Sequence, residues 1–144
     1  MSTLDTSDIQ EALEEAGLEV YRSRPDEIQV AERVRLHIMD SGVRVVLQEA
    51  LIAVQFTARS QRSDFPSAKA EDLFDRVRGS IGQRASDRGY QETGIRVHEV
   101  TDPVDDAKVL DVWHEVIYQK PTEAMSDIVE EVRWALDVEK YVTE

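Results

Sequence analysis

The chain has 144 residues, enough for one domain with a proper core, and carries a formal net charge of −13. That charge opposes binding to nucleic acid or to an anionic membrane unless a basic patch is segregated. With no cysteine, disulfides, cysteine nucleophiles and thiolate metal sites are excluded, which fits synthesis in a reducing or cytosolic compartment.

The opening residues Met1–Asp8 have neither the basic nor the apolar region of a secretory signal. Thr6-Ser7-Asp8 opens a short helix, with Ser7 and Gln10 at capping-box spacing. Ile9, Ala12, Leu13 and Ala16 form its apolar stripe, and Gly17 stops it. Leu18–Arg22 alternates as a short strand, and Arg24-Pro25-Asp26 reads as a turn. Ile28, Val30, Val34, Leu36 and Ile38 alternate over a longer strand, and Asp40-Ser41-Gly42 gives a hairpin signal. Val43 to Ala58 reads as one strand whose phase changes: Val43, Val45 and Leu47 are odd, whereas Ile52, Val54 and Phe56 are even. Either a bulge near Gln48-Glu49 or coverage of both faces accounts for this.

The stretch from Ala50 to Gly89 is the centre of the expected fold. A strand over Ala50–Arg59 leads through the polar loop Ser60–Ser67 into a helix, with Asp64 or Ser67 as N-cap and Pro66 near the first turn. Ala70, Leu73, Phe74, Val77 and Ile81 lie on one helical stripe, and Gly89 ends it. Gly89-Tyr90 and Thr93-Gly94 mark a turn, Ile95 to Val100 a strand, and Thr101–Asp106 a loop. The last strand is Val109–Tyr118, broken by Pro121. A C-terminal helix follows from about 122 to 142, with Met125, Ile128, Val129, Val132 and Leu136 on its apolar side. The sum is a single α+β domain over 1–144, core 4–118. Its mainly antiparallel sheet has about five strands, in the order α-β-β-β-α-β-β-α. No run of about 18 apolar residues is present, so no membrane span is expected.

Chemistry is hard to place on this frame. His37, His98 and His114 have no HxH or HxxxH spacing, and structural or surface roles suit them best. Asp102, Asp105, Asp106 and Asp111 are dense enough for a hard cation, but they lack the EF-hand spacing and its glycine, so a solvated loop is the simpler reading. Ser41, Ser60, Ser63 and Ser67 lie outside any nucleophile elbow, and neither a P-loop nor GxGxxG occurs. Glu14-Glu15 and Glu130-Glu131 read as exposed helix faces. A non-enzymatic protein with no cofactor and no metal is the expectation.

Charge is more informative. Arg59 to Arg88 holds seven basic and five acidic residues, against ten basic and twenty-five acidic in the rest of the chain. This polarity suits self-association, with arginines of one copy meeting carboxylates of the next. Pairing within the helix, such as Asp72 with Arg76, is the alternative. Thirteen arginines against four lysines in so acidic a chain fit a protein working in high salt as well as an ordinary acidic bacterial protein.

Leu51-Ile-Ala-Val-Gln-Phe-Thr-Ala-Arg-Ser60, then Phe65-Pro-Ser-Ala-Lys-Ala-Glu-Asp-Leu-Phe-Asp-Arg-Val-Arg-Gly79 and Gly89-Tyr90, resembles the tail terminator (tail completion, minor capsid) proteins of long-tailed phages and archaeal viruses. The helix Ala12-Leu-Glu-Glu-Ala-Gly17 is similar to that family's N-terminal helix, and the likeness spans roughly Leu4 to Tyr118. It implies a ring, usually a hexamer, that caps the tail tube and docks it to the head connector in the virion, after assembly in the host cytoplasm. The implied partners are copies of itself, the tail tube protein and the head–tail connector protein. Arg59 and Arg62, where the central strand leaves the sheet, are then expected at an assembly interface, with Arg44, Phe65 and Trp113. Trp113 and Trp134 serve as core or interface anchors. The type III secretion effector-chaperones share the element order and the acidity. An acidic adaptor or immunity protein that shields a basic partner is a third reading.

Overall fold

The computed structural model describes residues 5–48 and 51–142. The phase change after Leu47 marks the passage from one strand to its antiparallel neighbour, not a feature of one long strand. Strand β3 (His37–Gln48) pairs antiparallel with β4 (Leu51–Gln61), and Val43 faces Phe56, Val45 faces Val54 and Leu47 faces Ile52. Odd residues of one strand therefore share a face with even residues of the next. Glu49, where a bulge is expected, and Ala50 lie outside the described residues.

The preceding hairpin is also displaced from its sequence signal. Strand β2 (Glu27–Val34) turns into β3 through Arg35 and Leu36, with Arg35 at φ 59°. Asp40-Ser41-Gly42 is a bulge within β3, where the register with β2 shifts. Gly42 takes the left-handed conformation at φ 81°. Its N–H donates to Asp40 Oδ1 at 2.9 Å, while Ser41 Oγ accepts from the Val43 N–H and donates to the Val30 carbonyl at 2.6 Å. The residue types that make a turn here satisfy the groups that the interrupted ladder leaves open.

The described residues divide into two compact units. The first runs up to Phe56 and includes Gln119–Val138. It contains α1 (Thr6–Glu15), β1 (Val20–Arg24), β2, β3, the start of β4 and α4 (Met125–Asp137). Helix α1 is capped by Asp5 rather than Ser7: Asp5 Oδ1 accepts the Asp8 N–H at 2.9 Å, and Asp8 Oδ2 accepts the Asp5 N–H. Gly17, at φ 85°, ends it as expected. Ile9 and Leu13 of α1 and Ile128, Val132 and Ala135 of α4 are buried with Ile28, Val30, Val43, Val45, Val54 and Phe56 of the strands. Phe56 meets Trp134 edge-on, with centroids 5.8 Å apart.

The second unit runs from Thr57 to Tyr118 and includes the residues from Glu139 on. After a 3₁₀ turn, Arg62–Asp64, helix α2 (Ala70–Val77) passes through a π-helical turn, Arg78–Gly82, into α3 (Gln83–Arg88). Neither Asp64 nor Ser67 caps α2. Lys69 is the N-cap residue, and its N–H donates to Asp72 Oδ2 at 3.4 Å. Leu73, Phe74, Val77, Ile81 and Ala85 are buried, while Ala70 is exposed. A Cβ at Gly82 meets the Tyr118 hydroxyl oxygen at 2.6 Å, so any side chain there forces a shift. Gly89, at φ 98°, closes α3 as expected.

Strand β5 (Gln91–Thr101) runs straight through Thr93-Gly94, where the sequence suggests a turn, and pairs with β6 (Val109–Thr122). Pro121 sits near the end of β6 instead of breaking it before that point. The C-terminal helix stops at Asp137, and β7 (Tyr141–Val142) pairs parallel with β4, Arg59 opposite Tyr141. The fold is α+β with a mainly antiparallel sheet, in the order β1-β2-β3-β4-β6-β5 with β7 beside β4. It has seven strands among the described residues, not five. The additional ones are the split of Val43–Ala58 and the short β7. No helix among the described residues is long and apolar enough to cross a membrane.

Candidate functional site

Four of the five residues expected at an interface fall in the second unit. Alternation along β4 puts Arg59 on the face opposite Ala58 and Ser60, and its guanidinium lies 3.8 Å from the Trp113 ring centroid and 5.5 Å from that of Tyr141. The backbone holds the stack: the Arg59 N–H donates to the Lys140 carbonyl at 2.8 Å, which brings Tyr141 alongside. Trp113 also meets His98 of β5, 5.3 Å between centroids. Arg59 is thus held by aromatic faces, and its Nε is buried without a hydrogen bond among the described residues.

The 3₁₀ turn beside this stack is pinned at both sides. Ser63 donates from its N–H and its hydroxyl to the Asp111 carboxylate, at 3.0 and 2.8 Å. Burial pushes the Asp111 pKa up, but the donors Ser63, Val112 and Trp113 outweigh it and hold the carboxyl below its usual range. The Tyr141 hydroxyl lies 3.0 Å from Asp64 Oδ2 and donates to it, which raises the phenol's pKa. Arg62, in the same turn, is exposed. Phe65 is buried, with the Arg76 guanidinium 4.1 Å from its ring centroid. Arg44 belongs to the first unit and forms a two-pronged ion pair with Asp40, at 2.6 and 2.7 Å. There burial raises the Asp40 pKa, and the Arg44 and Gly42 hydrogen bonds bring it below the usual value.

Next to Phe65 is an open groove of about 760 Å³, bordered by Asp64, Pro66, Asp72, Asp75 and Arg76. Arg76 lies over Phe65 instead of pairing with Asp72, whose carboxylate takes, among the described residues, only the Lys69 N–H. Asp75 is 3.3 Å from Arg78, whose guanidinium is engaged chiefly by Glu92 of β5 at 2.8 and 3.0 Å.

The strongest surface signal lies in two hairpins. On β2–β3, Val34, Leu36, Ile38 and Met39 are exposed, Leu36 to 94%. On β5–β6 and its loop, Ile95, Val97, Val104, Val109 and Leu110 are exposed, Val104 to 95%. Arg96 pairs with Glu115 and His98 with Trp113 on one face of β5–β6, so by alternation Ile95 and Val97 point to the other, with Leu110. The sequence pattern places Val34, Leu36 and Ile38 on one buried strand face. The signal against that reading is Ile38-Met39, two adjacent apolar residues that cannot share one buried face.

His114 is buried, edge-on to Phe74 at 5.1 Å, and its Nδ1 makes no hydrogen bond among the described residues. Burial, and then the charge of Arg62, lower its pKa. Among the described residues no three histidine, aspartate or glutamate side chains gather as a metal site. No family model matches the chain, and neither a curated protein nor a solved structure matches it.

Proposed function

We propose that this chain is a structural, non-enzymatic protein that works by self-association and, at finer grain, a ring-forming tail terminator, hexameric, that caps a viral tail tube and joins it to the head connector. One observation carries the reading: ten large apolar side chains among the described residues stay at least 45% exposed, and nine of them belong to the two hairpins. Full burial of one such side chain contributes about 1.5–3 kcal/mol. Apolar groups gathered on exposed strands are the usual mark of a surface that another protein covers. Beyond that, the tail-terminator assignment rests on the likeness of Leu51–Gly79 and Gly89-Tyr90 to that family.

The test is solution mass by light scattering at low and at multimolar salt, with and without tail tube protein. A hexameric ring, alone or on the tube, is the expected result. A salt-independent dimer that binds a disordered acceptor segment replaces this reading with the secretion-chaperone one. A monomer under every condition overturns both.

A further inference from the structure

The β2–β3 tip and the groove beside Phe65 are complementary in charge. At the tip Leu36 is almost fully exposed, and residues 33–39 carry two arginines and no acid. Arg33 is tied to Glu19, whereas Arg35 makes no ion pair among the described residues. The groove is open, with a volume of about 760 Å³. Three carboxylates border it: Asp72, Asp75, which lies 3.3 Å from Arg78, and Asp64, which accepts from the Tyr141 hydroxyl; the lining guanidinium, Arg76, is laid over Phe65. The tip thus sets a cation without an ion pair beside an exposed leucine, and the groove offers carboxylates with Pro66 exposed among them.

We propose that the hairpin tip of one copy, Arg35 and Leu36, docks into the Asp64–Asp72–Asp75 groove of a second copy of this chain. The inference rests on the self-association proposed above and names its contact. Arg35 meets Asp72, with Asp75 beside it, and Leu36 lies against Pro66. Tip and groove are different surfaces, so the contact is heterologous: each copy gives a tip and receives one, and repetition closes a ring or extends a filament. The charge pairs set register and encounter rate and weaken with salt, whereas the leucine contact persists.

The experiment is a charge exchange read by sedimentation velocity of the full chain. Arg35→Glu, and separately the pair Asp72→Arg with Asp75→Arg, are each expected to weaken self-association by on the order of ten-fold. The triple variant, in which the charges are exchanged across the contact, is expected to recover to within about three-fold of the parent. Arg35 is on the surface and makes no ion pair among the described residues, so Arg35→Glu should leave circular dichroism and the melting temperature unchanged and separates lost docking from lost folding. The aspartate pair gives up the Lys69 N–H at the start of α2 and the contact with Arg78, so its melting temperature should fall. A parent chain that is monomeric at every salt removes the self-association reading itself. A parent that assembles while Arg35→Glu assembles equally well, or a triple variant as weak as its components combined, overturns the docking and leaves self-association standing.

Discussion

The two hairpins expose similar apolar residues for different structural reasons. In β2–β3 the root is core: Ile28, Val30, Val43 and Val45 are fully buried, while Val34, Leu36, Ile38 and Met39 at the far end are exposed. The strands simply run past the point where the buried cluster of their unit ends. In β5–β6 exposure is lateral. Strand β5 is the end of the sheet order, and it is exposed along nearly its whole length, with ion pairs on one face and Ile95 and Val97 on the other. The adjoining charge differs too: Arg33 and Arg35 at the first tip, Asp102, Asp105 and Asp106 in the second loop. Strand alternation shows that a face is apolar. It does not show whether this chain or another covers it.

The contrast between root and tip gives the largest expected effect. Phe56→Ala removes a fully buried ring packed on Trp134 and should cost about 3–5 kcal/mol in urea unfolding. Gly82→Ala probes the second unit's core in the opposite way, by overfilling it. The new methyl meets the Tyr118 hydroxyl, and an aromatic side chain gives way poorly, so a loss of about 1–3 kcal/mol is expected. Gly79→Ala, three residues away with open space around it, should show none of that loss.

Acid should reach the second unit's interior through His114. Its folded pKa lies below the ordinary 6.5, so the unfolded chain takes up the proton first as pH falls. The stability this histidine contributes is complete above pH 6.5 and declines as pH drops toward the folded value. His114→Phe, which keeps a ring against Phe74, should flatten the stability profile over that window while leaving neutral-pH stability close to the parent. An unchanged acid limb means that the imidazole reaches water and removes burial as the cause of its shift.

How much of this was legible depended on how local the cause is. Gly17 and Gly89 end helices because a left-handed residue is needed there, and the chain advertises it. Asp40-Ser41-Gly42 advertises a left-handed glycine equally well, but a bulge and a turn demand the same residues, and only the pairing partner tells them apart. The odd-to-even switch after Leu47 was visible, yet a hairpin and a bulge both produce it. The Arg59 stack was not legible, because Trp113 and Tyr141 come from strands far away in sequence. Nor was the acidic groove: Asp72 and Arg76 have the spacing of a helical pair, and Phe65 takes the arginine instead.

Arg59→Ala sharpens the comparison on the side of β5–β6. The variant loses a stack on Trp113 that costs no paired charge, so about 1 kcal/mol of stability is expected to go. Trp113 fluorescence should shift as the guanidinium leaves its face. Lysine at this position recovers the charge but not the planar contact, so Arg59→Lys should fall between the two. A lysine variant as stable as the parent makes charge alone the cause.

The smallest effect on folding is expected at Leu36, and it bears most directly on the contrast. A side chain 94% exposed has almost no native contact to lose, so Leu36→Ser should leave unfolding within about 0.5 kcal/mol of the parent. If the tip works between molecules, the same change should lower self-association by on the order of ten-fold, because the apolar surface it removes is covered only in the assembly. Stability and association then separate at one residue. A stability loss above about 1 kcal/mol in the dissociated chain means that the tip is covered by its own copy in solution, and the difference drawn between a buried root and an exposed tip fails.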